Sequence, residues 1–128
     1  MKKPKRRDPK KTLRNTADKL LQKLIKTMYP SCLVCGQPIN CGHHFVTKAS
    51  SLALRYYLPN IIPICQKHHC LVHAQPSLVD PTICFFLGED WYDDLMDAKK
   101  EKVKENMEFY QEHIDILTKL INEFKVKL

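Results

Sequence analysis

The sequence lacks the features that direct a chain to or across a membrane. Its apolar runs are too short to span a bilayer, and its basic N-terminus has no apolar stretch of the kind found in signal peptides. We therefore expect a cytoplasmic protein without a membrane partner. In that reducing compartment, its six cysteines are better explained as thiolate ligands or buried thiols than as disulfides.

The chain also lacks internal repeats, and only three of its 128 residues are glycine. This length predicts a single domain with a modest hydrophobic core. We expect an α+β fold in four segments: a disordered basic tail at 1–11, an amphipathic helix at 12–30, a ligand-rich core at 31–76, and a loop with C-terminal helical structure at 77–128.

Positive charge is concentrated at the start of the chain. Residues 1–30 contain eleven Lys and Arg against Asp8 and Asp18, a net charge of +9, whereas the remaining residues carry −2. This excess favours a polyanionic partner, DNA or RNA, and a solvated tail is the alternative explanation. The candidate nucleic-acid contacts are Lys2, Lys3, Lys5, Arg6, Arg7, Lys10 and Lys11 in the tail, with Lys48 and Arg55 in the core.

Apolar periodicity and turn residues locate the elements of the core and of the C-terminal part. Strands are predicted at 39–46 and 52–58, a short helix from Cys65 or Gln66 to about residue 75, and a loop at 77–88. Asp90 is expected to cap a helix, with Asp93 and Asp94 in its first turn.

The last helix is predicted to carry a heptad seam. Its members are Val103, Met107, Tyr110, Ile114, Leu117, Ile121, Phe124 and Leu128. This seam fits packing on the first helix within one chain, and a homodimer through the C-terminal helix is the alternative.

Eight candidate metal ligands lie within 42 residues, which packing alone explains poorly. They are Cys32, Cys35, His43, His44, Cys65, His68, His69 and His73. The C-x2-C spacing of the first two is that of a zinc knuckle, in which two thiolates converge on one ion and Gly36 permits a tight turn.

The helix that follows the third cysteine divides the remaining histidines. Residues 69 and 73 are four apart and share a face, whereas residue 68 is rotated by about 100° from residue 69. The predicted structural zinc site is therefore Cys32, Cys35, Cys65 and His68, with Cys41 or Cys70 as alternatives to His68.

A second, open site is predicted at His43, His69 and His73. Three protein ligands plus water is the pattern of a catalytic metal, and three imidazoles suit Zn²⁺, Ni²⁺ or Mn²⁺ better than Mg²⁺. His44 lies beside a ligand on a strand, so we expect it to act as a general base and not as a ligand. The Asn60 amide would orient His44 or fix the loop between them.

In this order, these residues resemble the motif of the HNH, or ββα-metal, nuclease family. The resemblance covers roughly residues 32–75 and includes the paired cysteines, the His-His pair, Asn60 and the run from Cys65 to His73. It implies a ββα-metal core with a structural zinc, flanked by a basic N-terminal helix and a long C-terminal helix. It also implies metal-dependent DNA cleavage, for which this family often uses Mg²⁺.

A narrower resemblance extends over the whole order of elements. The basic helix, the knuckle, Cys-Gly-His, Leu-Arg-Tyr before Asn60 and the helical tail are similar to the phage NinG (Rap) recombination proteins. Here His68 stands where cysteine is usual. This resemblance implies a branched DNA substrate and, for a phage-encoded chain, the cytoplasm of the bacterial host.

A second hypothesis is a non-catalytic zinc module that binds nucleic acid and presents its C-terminal helix to a partner. It explains the knuckle and the basic segment. It leaves His44, Asn60 and the second histidine cluster without a role.

Overall fold

A computed structural model describes Arg6 and residues 8–127 and gives a mixed α+β architecture. The helices are α1 (Pro9–Met28), α2 (Gln66–Ala74), α3 (Pro76–Leu87), α4 (Glu89–Lys99) and α5 (Met107–Lys127), and the strands are β1 (Cys41–His44) and β2 (Ile61–Ile64). The expectations for Lys2, Lys3, Lys5 and Arg7 lie outside the described residues.

Helix α1 begins three residues earlier than predicted, because Asp8 caps its N-terminus and Pro9 fits its first turn. The Asp8 carboxylate accepts a hydrogen bond from the Lys10 amide at 3.0 Å, and Pro9 occupies a first-turn position that needs no amide hydrogen. Lys10 and Lys11 are therefore helical, and the tail prediction is wrong for them. Lys10 also pairs with Glu105 at 3.2 Å.

The first core forms where α5 packs on α1. It contains Ala17, Leu21, Leu24, Ile25, Tyr56, Ile61, Tyr110, Leu117 and Ile121. The middle of the predicted seam, from Tyr110 to Phe124, thus packs within the chain, as the first interpretation had it. Met107, where α5 starts, is exposed, Val103 precedes the helix, and Leu128 lies outside the described residues. A homodimer stays a prediction, and it needs a surface other than the buried part of this seam.

The two strands form one antiparallel hairpin, with Gly42 opposite Pro63. The predicted strand at 52–58 is wrong, since that segment forms turns that lead into a 3₁₀ turn at Leu58–Asn60. Pro63 is compatible with a strand here. Phe45 donates to the Asn60 carbonyl, so by alternation the Gly42–Pro63 pair is a non-hydrogen-bonded one and needs no proline amide.

The second core lies under β2, α2 and α3, and it contains Cys32, Ile62, Ile64, Cys65, Val72, Val79 and Ile83. It exists because residues 76–87, predicted to be mostly loop, are helical: Pro76 occupies the first turn, and Val79 and Ile83 are buried. Gly88 (φ 91°) ends α3 and precedes α4, so Asp90 lies in the first turn and is not the cap.

Across the part of the chain that the structure describes, no single helix is both long and apolar enough to cross a membrane. Only α2 and α3 taken together, bent by 120° where they join, reach that length and composition.

Candidate metal centres and active site

Four side chains from the knuckle turn and the start of α2 converge on one point. We call Cys32, Cys35, Cys65 and His68 the knuckle cluster, whose ligand atoms all lie within 4.8 Å of one another. The Sγ atoms of Cys35 and Cys65 are 3.7 Å apart, and the Cys65 Sγ lies 3.2 Å from the His68 Nδ1. Two thiolates bound tetrahedrally to zinc at about 2.3 Å would be roughly 3.8 Å apart. The cluster therefore could hold a metal ion such as zinc.

Backbone contacts build this cluster into the fold. The Gly36 amide donates to the Cys32 carbonyl at 2.9 Å, and Gly36 has the positive φ of 74° that closes the turn. The Leu33 amide donates to the Pro63 carbonyl at 2.9 Å and joins the turn to β2. Burial opposes ionisation of Cys32, but the neighbouring backbone amides outweigh it and lower the pKa of that thiol. The hydrogen bond from the Gln37 backbone lowers the pKa of Cys35, but desolvation and the adjacent Cys65 and Cys32 thiols outweigh it, so this pKa is raised.

The structure distinguishes between the alternative fourth ligands. His68 completes the cluster, whereas the Cys41 Sγ lies 3.3 Å from the Nδ1 of His69 and Cys70 is exposed on α2. The cluster geometry therefore favours His68.

A second group of imidazoles lies between β1 and α2. We call His43, His69 and His73 the histidine triad, and their ligand atoms also lie within 4.8 Å of one another. The Nε2 atoms of His69 and His73 are 2.9 Å apart, because the two residues are one helical turn apart on one face. His43 reaches them from β1, with ring centroids 5.6 and 5.5 Å away.

The electrostatics of the site favour neutral imidazoles at His43 and His69. Burial, followed by the charges that His69, His73 and His44 would carry, lowers the pKa of His43 to about 4. Burial also lowers the pKa of His69, and proximity to His73 lowers it further. Neutral imidazole is the form that binds metals, and exposed His73 leaves one side open. These donors fit a divalent transition-metal ion.

His44 borders the same cleft but is hydrogen-bonded elsewhere. Its Nε2 lies 2.9 Å from the Arg55 carbonyl oxygen. A carbonyl only accepts, so Nε2 carries the proton and Nδ1 keeps a free electron pair. Burial is the main cause that lowers the pKa of His44, and together with the charges of Lys48 and Arg55 it outweighs the hydrogen bond to the Arg55 carbonyl, which raises that pKa. His44 is therefore neutral near pH 7.

Asn60 is a positioning residue, and its contacts are those of the second expected role, fixing the loop. It is fully buried, and its amide accepts from the Val46 amide at 2.8 Å and donates to the carbonyls of Val46 and Leu54 at 3.0 and 3.2 Å. These contacts fix the loop between β1 and β2. That loop carries the Arg55 carbonyl that His44 contacts, so Asn60 acts on His44 through the backbone.

Arg55 also differs from the sequence prediction. Its guanidinium makes a bidentate pair with Asp18 of α1, at 3.0 and 2.6 Å, and 13% of the side chain is exposed. Tyr56 donates to the same carboxylate at 2.8 Å. Burial opposes ionisation of Asp18, but these donors outweigh it and lower its pKa. Arg55 thus holds the loop to α1 and is unsuited to contact nucleic acid.

Helix α1 also contacts β1 directly. The Gln22 amide group donates to the Gly42 carbonyl at 2.9 Å and accepts from the Gly42 amide at 2.7 Å. A Cβ on Gly42 would lie 2.6 Å from a methyl of Ile61 and 3.1 Å from Ile25, so this close approach requires glycine. Sequence reasoning missed Gln22 and Asp18, because no local spacing links them to partners 20 and 37 residues away.

The triad, His44 and the adjoining α1 residues enclose a cleft of about 500 Å³. Its lining residues include exposed Lys26 and Lys48 and the histidines His43, His44, His69 and His73. The described part of the chain thus joins four imidazoles and two lysines in one concave site. Comparisons with protein-family models, with curated proteins and with solved structures found no match for this chain.

Proposed function

We propose that this chain is a metal-dependent DNA endonuclease of the HNH type. The observation that carries the proposal is the arrangement of His44 beside the triad. One imidazole is fixed with a free ring nitrogen by a backbone carbonyl, and three others converge at the same cleft. A nucleophile activator next to a candidate cation site is the combination that phosphodiester hydrolysis requires.

The cation would be held by His43, His69 and His73, and when bound it would polarise the scissile phosphate and stabilise the leaving oxygen. His44 takes a proton from water at its Nδ1, because its Nε2 proton is engaged by Arg55. The resulting imidazolium is stabilised at Nε2–H by that carbonyl. Water freed of this proton attacks the phosphorus in line.

The protein scaffold supplies orientation for this step. Gln22 fixes the β1 backbone next to His43, while Asp18 fixes the loop through Arg55. Lys26 and Lys48, which line the cleft, offer two positive charges to the phosphates that flank the reacting one. The substrate is therefore a polynucleotide backbone, and branched recombination intermediates are the DNA class that the NinG-type resemblance implies.

Cleavage of a panel of DNA structures with varied divalent ions tests the proposal. His44→Ala is expected to retain both metals and DNA affinity while losing cleavage by roughly 10²–10⁴-fold, the usual contribution of general acid–base catalysis. His113→Gln is the matched control, because this imidazole is on α5 against Tyr56 and Phe109.

Two outcomes would overturn parts of the proposal. If His44→Ala loses metal while His43→Ala keeps it, the two histidines exchange roles. If no substrate is cut with any divalent ion while DNA still binds, the chain is the non-catalytic zinc module.

A further inference from the structure

Three lysines form a row on the outer face of α1. Lys19, Lys23 and Lys26 are exposed and follow one another at intervals of four and three residues, which places them on one side of the helix. At 1.5 Å per residue the row is about 10 Å long. We call these three residues the lysine track.

The lysine track leads into the cleft that contains the histidine triad. All three lysines line a groove along α1, and Lys26 and Gln22 line both that groove and the cleft that contains the triad. A chain whose phosphate reacts at the triad therefore passes Lys26 first and then meets Lys23 and Lys19.

The charge of the groove is not neutralised by its own residues. Asp18 is the acidic residue among those described as lining it, and its carboxylate is engaged by Arg55 and Tyr56. Lys19, Lys23 and Lys26 therefore place three ammonium groups along one groove. Like charges held together in this way are relieved by an anion placed between them.

We propose that the lysine track holds the sugar–phosphate backbone of the polynucleotide on one side of the cleaved bond. The inference rests on the proposed function for the class of substrate. It differs from the expectation that the N-terminal tail supplies this contact, since Asp8, where α1 starts, lies about 27 Å along the helix from Lys26.

Salt-dependent binding measures this contact separately from cleavage. Affinity of the Lys19→Gln/Lys23→Gln variant for a short DNA duplex, and for one of its strands alone, is measured by fluorescence anisotropy over a range of KCl. Two lost phosphate contacts should reduce the slope of log K against log salt by about 1.8 on duplex and about 1.4 on single strand. At 0.1 M salt the duplex affinity should fall by about 10- to 100-fold.

Two variants serve as controls. Lys102→Gln/Lys104→Gln removes the same charge from exposed positions before α5, next to Glu105 and the start of α1, and should change neither slope nor affinity beyond a few-fold. Lys19→Arg/Lys23→Arg keeps the charge, so its salt slope and its DNA affinity should both match those of the wild type. Circular dichroism confirms that each variant is folded.

The inference would be overturned if Lys19→Gln/Lys23→Gln left the slope of log K against log salt unchanged. It would also be overturned if Lys102→Gln/Lys104→Gln reduced that slope and the DNA affinity by the same amounts. If deletion of residues 1–7 removes the whole salt dependence while the track variants keep it, the tail is the contact surface instead. A reduced slope in a protein that cuts no DNA would support the track and reject the proposed endonuclease, so the two failures are distinguishable.

Discussion

The knuckle cluster and the histidine triad share α2 yet differ in how they are enclosed. In the knuckle, Cys32 and Cys65 are 3% and 6% exposed and belong to the second core. In the triad, only His43 is buried, and His73 is exposed at the cleft. Adjacent residues His68 and His69 therefore serve two sites of different character, because each helical position rotates the side chain by about 100°.

Under the proposed function, this difference corresponds to two roles for metal in one short segment. A four-ligand cluster leaves no coordination position for substrate. Two of its cysteines, Cys32 and Cys65, belong to the second core, so a bound ion would supplement the packing of a small domain, while Cys35 is exposed. A three-ligand site with one open side leaves a position for water or a phosphate oxygen. The comparison thus predicts that loss of the first cluster affects the fold and loss of the second affects chemistry.

The largest effect is expected from removing a knuckle thiolate. Structural zinc contributes about 10–16 kcal/mol in small zinc domains, comparable to or above the whole stability of an average domain. Cys65→Ser should therefore give unfolded or insoluble protein. Cys84→Ser, a half-buried cysteine in α3, is the control and should fold with its zinc. Metal analysis and circular dichroism check this, and a well-folded, zinc-free Cys65→Ser protein would contradict the assignment.

An intermediate effect is expected from removing a triad ligand. His69→Ala takes away one of three imidazoles, so the second metal and cleavage should both be lost. The fold and the knuckle zinc should remain, because His69 and His73 lie outside both cores. Zinc and manganese content with the thermal midpoint give the readout. A large drop in the midpoint would show that the triad is structural, like the knuckle.

The sequence predicts local parts of the two clusters well. Cys32 with Cys35, Cys65 with His68, and His69 with His73 are pairs within four residues, so their meeting depends on one turn or one helix. Their assembly into four- and three-residue groups needed only the hairpin of β1 and β2 to bring the knuckle turn and His43 to α2.

The errors arise where proline or a distant contact decides the structure. Gly42 of β1 sends its hydrogen bonds to Gln22 of α1, 20 residues earlier. The segment 77–88, predicted to be a loop, is mostly helix α3, which begins at Pro76. Arg55 looked like a free cation because its partner, Asp18, lies 37 residues earlier. None of these partners can be identified from local spacing.

The smallest effect on metal binding is expected from a change at Cys41, and it distinguishes most clearly between the knuckle cluster and the histidine triad. For both His69 and His73 to present Nε2 lone pairs to one cation, His69 must carry its proton on Nδ1. That N–H then donates a hydrogen bond to the Cys41 sulfur, which lies 3.3 Å away. Burial raises the pKa of Cys41, so it accepts as a neutral thiol. Because a neutral thiol is a weak acceptor, Cys41→Ala should weaken second-site affinity for Mn²⁺ by about 10-fold, the low end for such partners.

The matched variant Cys41→Ser keeps an acceptor and should retain most of this affinity, while Cys70→Ala, an exposed neighbour on α2, should change nothing. Calorimetric titration of Mn²⁺, with zinc content measured on the same samples, separates the outcomes. If Cys41→Ala releases the knuckle zinc instead, then Cys41 and not His68 completes that cluster. If it alters neither metal, the sulfur merely packs against His69, and the tautomer of the triad is set by the cation alone.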